Sequence, residues 1–316
     1  MKVDINNINI PEIKQNNIDT DVFNLTSENI QNNTSKYLTK YGVFYERYVR
    51  SFLNPSGISD TLYAQNVLSF VNDKDMHETF MDIQKKYPEN KRSDIYQELI
   101  SCAKRYHYFF PKKTLPKQIV FGLSGYNYAV AFVDSTLFVS LDMFLGHNSK
   151  FYAMLNWPTY KTRVLSEPYL VSETMRGWML SELDNEMPTN NLLHHTIFYG
   201  KLYYAVKRLV PEAHDSILIG YSSKQLDYCR TYEKELWGFM IEKNKLYEND
   251  MRTVQELTSE GPFTGAISKD CPPGIAKWIG WQIVESYMNN NEKVSMEELF
   301  NETDAQKILT KSKYRP

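Results

Sequence analysis

The sequence predicts an α+β fold, a predominantly helical single body carrying one small sheet. Three observations lead there. Apolar residues recur at spacings of three and four over most of the chain, which is the helical period. Three short β-rich runs cluster between about 118 and 141, the one convincing β region. Nothing between 36 and 310 has the composition of a linker, so one compact body is expected.

The elements follow in order. Nine Asn occur by position 33, with few large apolar residues among them. Residues 1–26 therefore read as a polar amino-terminal tether and residues 27–316 as the folded body. Met1-Lys2-Val3 is not followed by an apolar segment, so the start is read as no signal peptide. Either the protein is cytoplasmic or a leader has been removed. Helices are expected near 28–40, 60–71 and 74–86, with Asn54-Pro55-Ser56-Gly57 as a turn. Ile95, Leu99, Cys102, Tyr106 and Phe109 draw one apolar stripe on a further helix. Ser93 is placed to cap that helix, and Pro111 stops it by Phe110.

The β runs are 118–124, 128–134 and 137–141, the last two joined by a turn at Asp134-Ser135-Thr136. They are expected to form a largely antiparallel sheet packed by helices. Helical patterns then resume over Glu167–Leu183, opened by Pro168, and over Asn191–Leu209, stopped by Pro211. A third spans Ser223–Lys245 with Ser222 or Ser223 as cap, and a fourth spans Pro273–Met288. Glu297–Phe300 and Thr303–Leu309 close the chain.

Composition excludes several function classes. Of 316 residues, 42% are hydrophobic and 23% charged, which is too apolar for a disordered chain. Thirty-six Lys+Arg against 38 Asp+Glu leave no basic excess for a dedicated nucleic-acid binder. The longest apolar run, Tyr128 to Val133, is far short of the ~20 residues of a membrane-spanning helix. Cys102, Cys229 and Cys271 are widely spaced with no CxxC pair, which argues against a zinc-cysteine site and a dense disulfide framework.

Chemistry-bearing motifs are sparse. No HExxH, GxSxG, Walker loop or GxGxxG occurs. Gly122-Leu123-Ser124-Gly125 falls one residue short of a nucleophile elbow and reads as a strand end. His77, His107, His147 and His214 stand alone. His194 and His195 are adjacent, so on a helix their side chains point about 100° apart and cannot grip one metal together. No metal or cofactor is expected. Asp142, after the last strand, and Glu173, on the next helix, are candidate acids or bases. The plainer reading makes them helix caps or partners of Arg163 or Arg176. Trp278 and Trp281, with Gly280 between them, suit a core helix in close approach to another, or else an aromatic platform for sugar or peptide.

Seven stretches in order carry a resemblance: Ser140 to Gly146, Glu167 to Val171, Met175 to Trp178, Phe198 to Leu202, Ile219 to Tyr221, Trp278 to Val284, and Asp304 to Pro316. Together they resemble the gliding-motility lipoprotein GldB family of Bacteroidetes over nearly the whole chain. The resemblance implies a membrane-anchored envelope lipoprotein, exposed to the periplasm and tethered by an acylated amino-terminal cysteine that this sequence does not include. It implies protein partners in gliding or its linked secretion machinery. It brings no defined catalytic residues.

A second likeness is to zincin-type metallopeptidases, in the order of sheet and helices. There Ser172-Glu173-Thr174-Met175-Arg176 would stand in the place of an HExxH, with both zinc-binding histidines replaced. Serine and a guanidinium offer zinc no suitable lone pair. The leading expectation is thus a non-catalytic envelope protein working through a binding surface or cleft. That cleft is placed between the sheet and helices 167–183 and 192–209, lined by Asp142, Glu173, Arg176, Tyr199 and Trp281. The alternative is a peptidase-like or glycan-directed hydrolase using Glu173 or Asp142 with His194 or His195. A cytoplasmic protein of other role is the third reading.

Overall fold

The computed structural model describes residues 3–183 and 191–316. Its sheet has four strands: β1 (Lys14–Asn17), β2 (Gln118–Gly122), β3 (Val130–Val133) and β4 (Thr136–Ser140). Their order is β1-β2-β4-β3. β1 runs parallel to β2, with Lys14 opposite Gln118, and β2 runs parallel to β4, with Gln118 opposite Thr136. Among the described strands of the sheet, the β3–β4 pair is the antiparallel one. Their two-residue turn uses Asp134 and Ser135, both at positive φ (49° and 60°), the mirror-image turn that suits the twist of a hairpin.

The expectation of a largely antiparallel sheet is thereby corrected to a mixed one, and burial gives the reason. Ile119, Phe121, Leu137 and Val139 face the larger core, while Val120 and Phe138 face a second core on the other side. A strand covered on both faces carries a continuous apolar run without polar alternation, which is the pattern of parallel strands.

The second core is built by α1 (Ile18–Phe23), α2 (Ile30–Tyr41), α3 (Val43–Tyr48) and α4 (Tyr63–Asn72). The expected tether therefore holds structure. Ile13, Ile18, Val22 and Leu25 are buried, and β1 forms the sheet edge. Its sequence, Lys14-Gln15-Asn16-Asn17, is polar because an edge strand leaves much of its surface to water, so the Asn count concealed it.

The larger core lies under α5 (Lys74–Lys86) and α6 (Glu89–Phe109) and the helices that follow the sheet. In α6, Ile95, Leu99, Cys102 and Tyr106 are buried as the stripe requires. Ser93 is not the cap, because the helix starts one turn earlier after Pro88. After the sheet come α7 (Lys150–Met154), α8 (Thr159–Thr162), α9 (Glu167–Leu183), α10 (Leu192–Leu209) and α11 (Asp215–Ile219). The single helix expected over 223–245 is two, α12 (Ser223–Thr231) and α13 (Glu233–Ile241), parted at Tyr232. Ser222 begins α12 with a capping box to Gln225. The chain ends with α14 (Met251–Thr258), α15 (Ile275–Asn290), α16 (Met296–Asn301) and α17 (Ala305–Ser312). No described helix is long and apolar enough to cross a membrane.

α10 and α15 form the central pair of this core, and they meet backbone to backbone. A Cβ placed on Gly280 would lie 1.9 Å from the Thr196 carbonyl oxygen. One on Gly200 would lie 2.2 Å from the Gly280 oxygen. All three cysteines are free and buried, and burial pushes the Cys102 thiol up to about 12 and the Cys271 thiol up to about 11. Thiols so protonated are poor nucleophiles.

Candidate functional site

α9, α10 and α15 converge on a small open cleft of about 50 Å³. Glu173 and Arg176 stand three residues apart on α9 and so share one face. Tyr203 of α10 enters from beside them, and Lys277 enters from the first turn of α15. Loops complete the walls with Arg163 after α8, Tyr221 after α11 and Glu260 after α14.

The start of α15 is placed by Gly274, which caps the helix at φ 60°. A Cβ there would come within 3.0 Å of the Ser259 carbonyl oxygen and 3.1 Å of the Thr258 one. Glycine lets the end of α14 abut the start of α15, and this sets the Glu260 loop beside Lys277.

The charges are unevenly partnered. Arg176 makes a two-pronged ion pair with Glu173, through Nε to Oε1 at 3.2 Å and Nη2 to Oε2. Glu260, on the exposed rim, lies 3.9 Å from Arg176 Nη1. Arg163 Nη2 donates to the Gly220 carbonyl at 2.5 Å, and its buried Nε has no acceptor among the described residues. Lys277 Nζ sits 5.0 Å from the centre of the Tyr199 ring, a cation–π contact. Burial first, and then the neighbouring Arg176, push the Lys277 ammonium down to about 8.

Of the five residues expected to line a cleft, Glu173 and Arg176 do so, and Tyr199 backs it through Lys277. Trp281 is not among the lining residues. It is 2% exposed and stacks on Tyr203 at 6.0 Å, inside the core behind the cleft. Asp142 is elsewhere. It is fully buried beneath the loop after β2, where it accepts from the Ser124 and Tyr126 backbone N–H groups (3.2 and 2.7 Å) and the Ser140 hydroxyl (2.5 Å). Burial pushes its carboxyl up, opposed by those same hydrogen bonds. The cleft also differs in its walls, since no residue of the sheet lines it. Asp142 thus works as the clamp of the 124–126 loop. Asp142→Ala leaves three buried donors unsatisfied and is expected to cost about 2–3 kcal/mol in urea unfolding. A loss under about 0.5 kcal/mol, the scale of an ordinary surface substitution, would contradict this role.

Lys277, Tyr203 and Tyr221 were not anticipated in the cleft. One signal for Lys277 is legible afterwards: it is the one charge in the otherwise apolar or neutral run from Ile275 to Val284. Tyr203 follows Tyr199 by four residues, on the same face of α10. The histidines lie apart from this chemistry. His194 hydrogen-bonds through Nδ1 to Asn191 Oδ1 at 2.8 Å, at the start of α10. His195 is buried, and burial and then His194 lower its pKa, so it is neutral near pH 7. Among the described residues neither is a hydrogen-bond partner of Glu173 or Asp142. Among the described residues, no group of three or more His, Cys, Asp or Glu is placed to hold a metal ion.

A family model described as gliding motility protein GldB matches residues 1–316, the whole chain. No curated protein matches, and no solved structure matches. The zincin-like arrangement accordingly has no solved relative to rest on.

Proposed function

Because this chain belongs to the gliding motility protein GldB family over its full length, we propose that it acts in the cell envelope by holding a partner in the cleft between α9, α10 and α15. The family is one of gliding-motility lipoproteins. In this reading a lipid anchor tethers the protein to the membrane. The partner is a protein of the gliding or linked secretion machinery.

The single observation that supports the reading is the company kept by Glu173 and Arg176. The carboxylate that a hydrolase would need as a free base is paired with a guanidinium inside an open cleft. A carboxylate with both oxygens occupied by a guanidinium is poorly placed to reach a substrate or water proton. The same pair gives the cleft a polar floor between aromatic walls, which suits recognition.

Photo-crosslinking in intact envelopes tests this. A benzophenone amino acid at Tyr160, on the cleft wall, is expected to yield a discrete protein adduct. The same group at Val43, 60% exposed on the second core's helices, is expected to yield none. Adducts of equal yield and pattern from both sites would sink the proposal.

A further inference from the structure

Three cations, Arg163, Arg176 and Lys277, face this cleft against two carboxylates, Glu173 and Glu260. Glu173 is engaged by Arg176 in both oxygens. Glu260 is 64% exposed at the rim, where water screens it. Lys277 Nζ therefore has no hydrogen-bond acceptor among the described residues, only the face of Tyr199. Arg163 Nε is buried without one. Glu173 and Glu260 act on this half-buried ammonium only from a distance, and a ligand that places a carboxylate directly on it recovers part of its burial cost.

Resting on the cleft reading, we propose that the site takes a ligand bearing one carboxylate on an apolar body, such as the free carboxyl end of a peptide, with the carboxylate on Lys277 and the body against Tyr160, Tyr203 and Tyr221. The excess of one positive charge matches one negative charge, which favours a carboxylate over doubly charged phosphate. Arginine and lysine together suit carboxylate recognition, and the aromatic walls suit the apolar remainder. A space of about 50 Å³ admits the carboxylate group itself, and the rest of such a ligand lies across the open side of the cleft.

The protonation state of Lys277 makes affinity depend on pH. Its ammonium is held near 8 by burial and Arg176, with Glu173 and Glu260 opposing the fall and Tyr199 facing it from α10. Tyr203 stays protonated well above that range, its hydroxyl pushed up to about 12 by burial. Carboxylate affinity is therefore flat below about pH 7 and declines from about pH 8 upward.

Isothermal titration of the full chain tests the proposal with three probes: N-acetylphenylalanine, its primary amide, and inorganic phosphate. The acid is expected to bind at pH 7 at least about tenfold tighter than the amide or phosphate, the scale of a charged hydrogen bond. Lys277→Met is expected to lower the acid's affinity at least about tenfold while leaving the unfolding midpoint no lower. Lys277→Arg keeps the affinity and flattens the decline above pH 8, because a guanidinium does not titrate there. Equal binding of acid and amide, tighter binding of phosphate, no binding of the acid, or full affinity in Lys277→Met would each overturn the assignment. The envelope crosslink at Tyr160 reads the cleft independently. If it persists while the titration fails, the ligand class falls and the partner-holding cleft stands.

Discussion

Asp19→Ala is expected to cost about 3–5 kcal/mol of folding free energy, the range for breaking one half of a buried ion pair. Asp19 and Arg92 are 0% and 1% exposed. Arg92 grips both carboxylate oxygens, Nη1 to Oδ1 at 2.8 Å and Nη2 to Oδ2 at 2.7 Å. Its Nε donates to the Tyr87 carbonyl at 2.8 Å, and Gln84 adds a bond to Asp19 Oδ2 at 3.2 Å. Removing Asp19 leaves a guanidinium in the interior with two N–H prongs unmatched, and water cannot reach it. The pair joins α1 to α6 across 73 residues of sequence, so the amino-terminal segment comes loose with it. Urea unfolding measures the loss. The double replacement Asp19→Leu with Arg92→Met removes both charges together and is expected to lose much less than either single change. Single variants that lose under about 1 kcal/mol, the scale of a surface pair, would show that the pair is not the tie described here.

Gly280→Ala is expected to cost about 3 kcal/mol, against the ordinary preference of a helix for alanine. Helix propensity alone favours the change by about 1 kcal/mol. The new methyl, however, would sit 1.9 Å from the Thr196 carbonyl oxygen and 2.8 Å from its carbon. These are backbone atoms of α10, so relief requires α10 and α15 to move apart, which opens the centre of the larger core. Gly238→Ala supplies the control. Gly238 also lies inside a helix, α13, yet nothing stands within 4 Å of its added Cβ. It is expected to gain up to about 1 kcal/mol. Thermal and urea unfolding of the two variants should move in opposite directions. A shift of the same sign in both would remove the close-approach argument.

Those two glycines show how far local pattern reaches. Both interrupt helical runs, and Gly280, between two tryptophans, drew the suggestion of a close helix approach. Nothing in the run says which helix approaches, because the answer, Thr196 and Gly200, lies some eighty residues earlier. The site divides the same way. Glu173 and Arg176 were legible as a pair because a spacing of three on a helix puts side chains together. Asp142 looked equivalent to Glu173 as a carboxylate near the sheet's end, and only the fold shows it turned inward under the Ser124–Tyr126 loop. Lys277 went unread because its company, Tyr199 and Arg176, comes from two other helices.

By itself the sequence determined the helical period of α2, α4, α5, α6, α9, α10 and α15, the β3–β4 turn at Asp134-Ser135, and, through seven ordered stretches, the family. Each of these rests on neighbours within a few residues or on order along the chain. Tertiary structure alone decided that Lys14–Asn17 joins the sheet beside β2, that the sheet is mixed, and which charges share a cleft. The reason is physical: a parallel pairing across more than a hundred residues, or a cation stranded between three helices, has no local signature. It exists only once distant segments exclude water together.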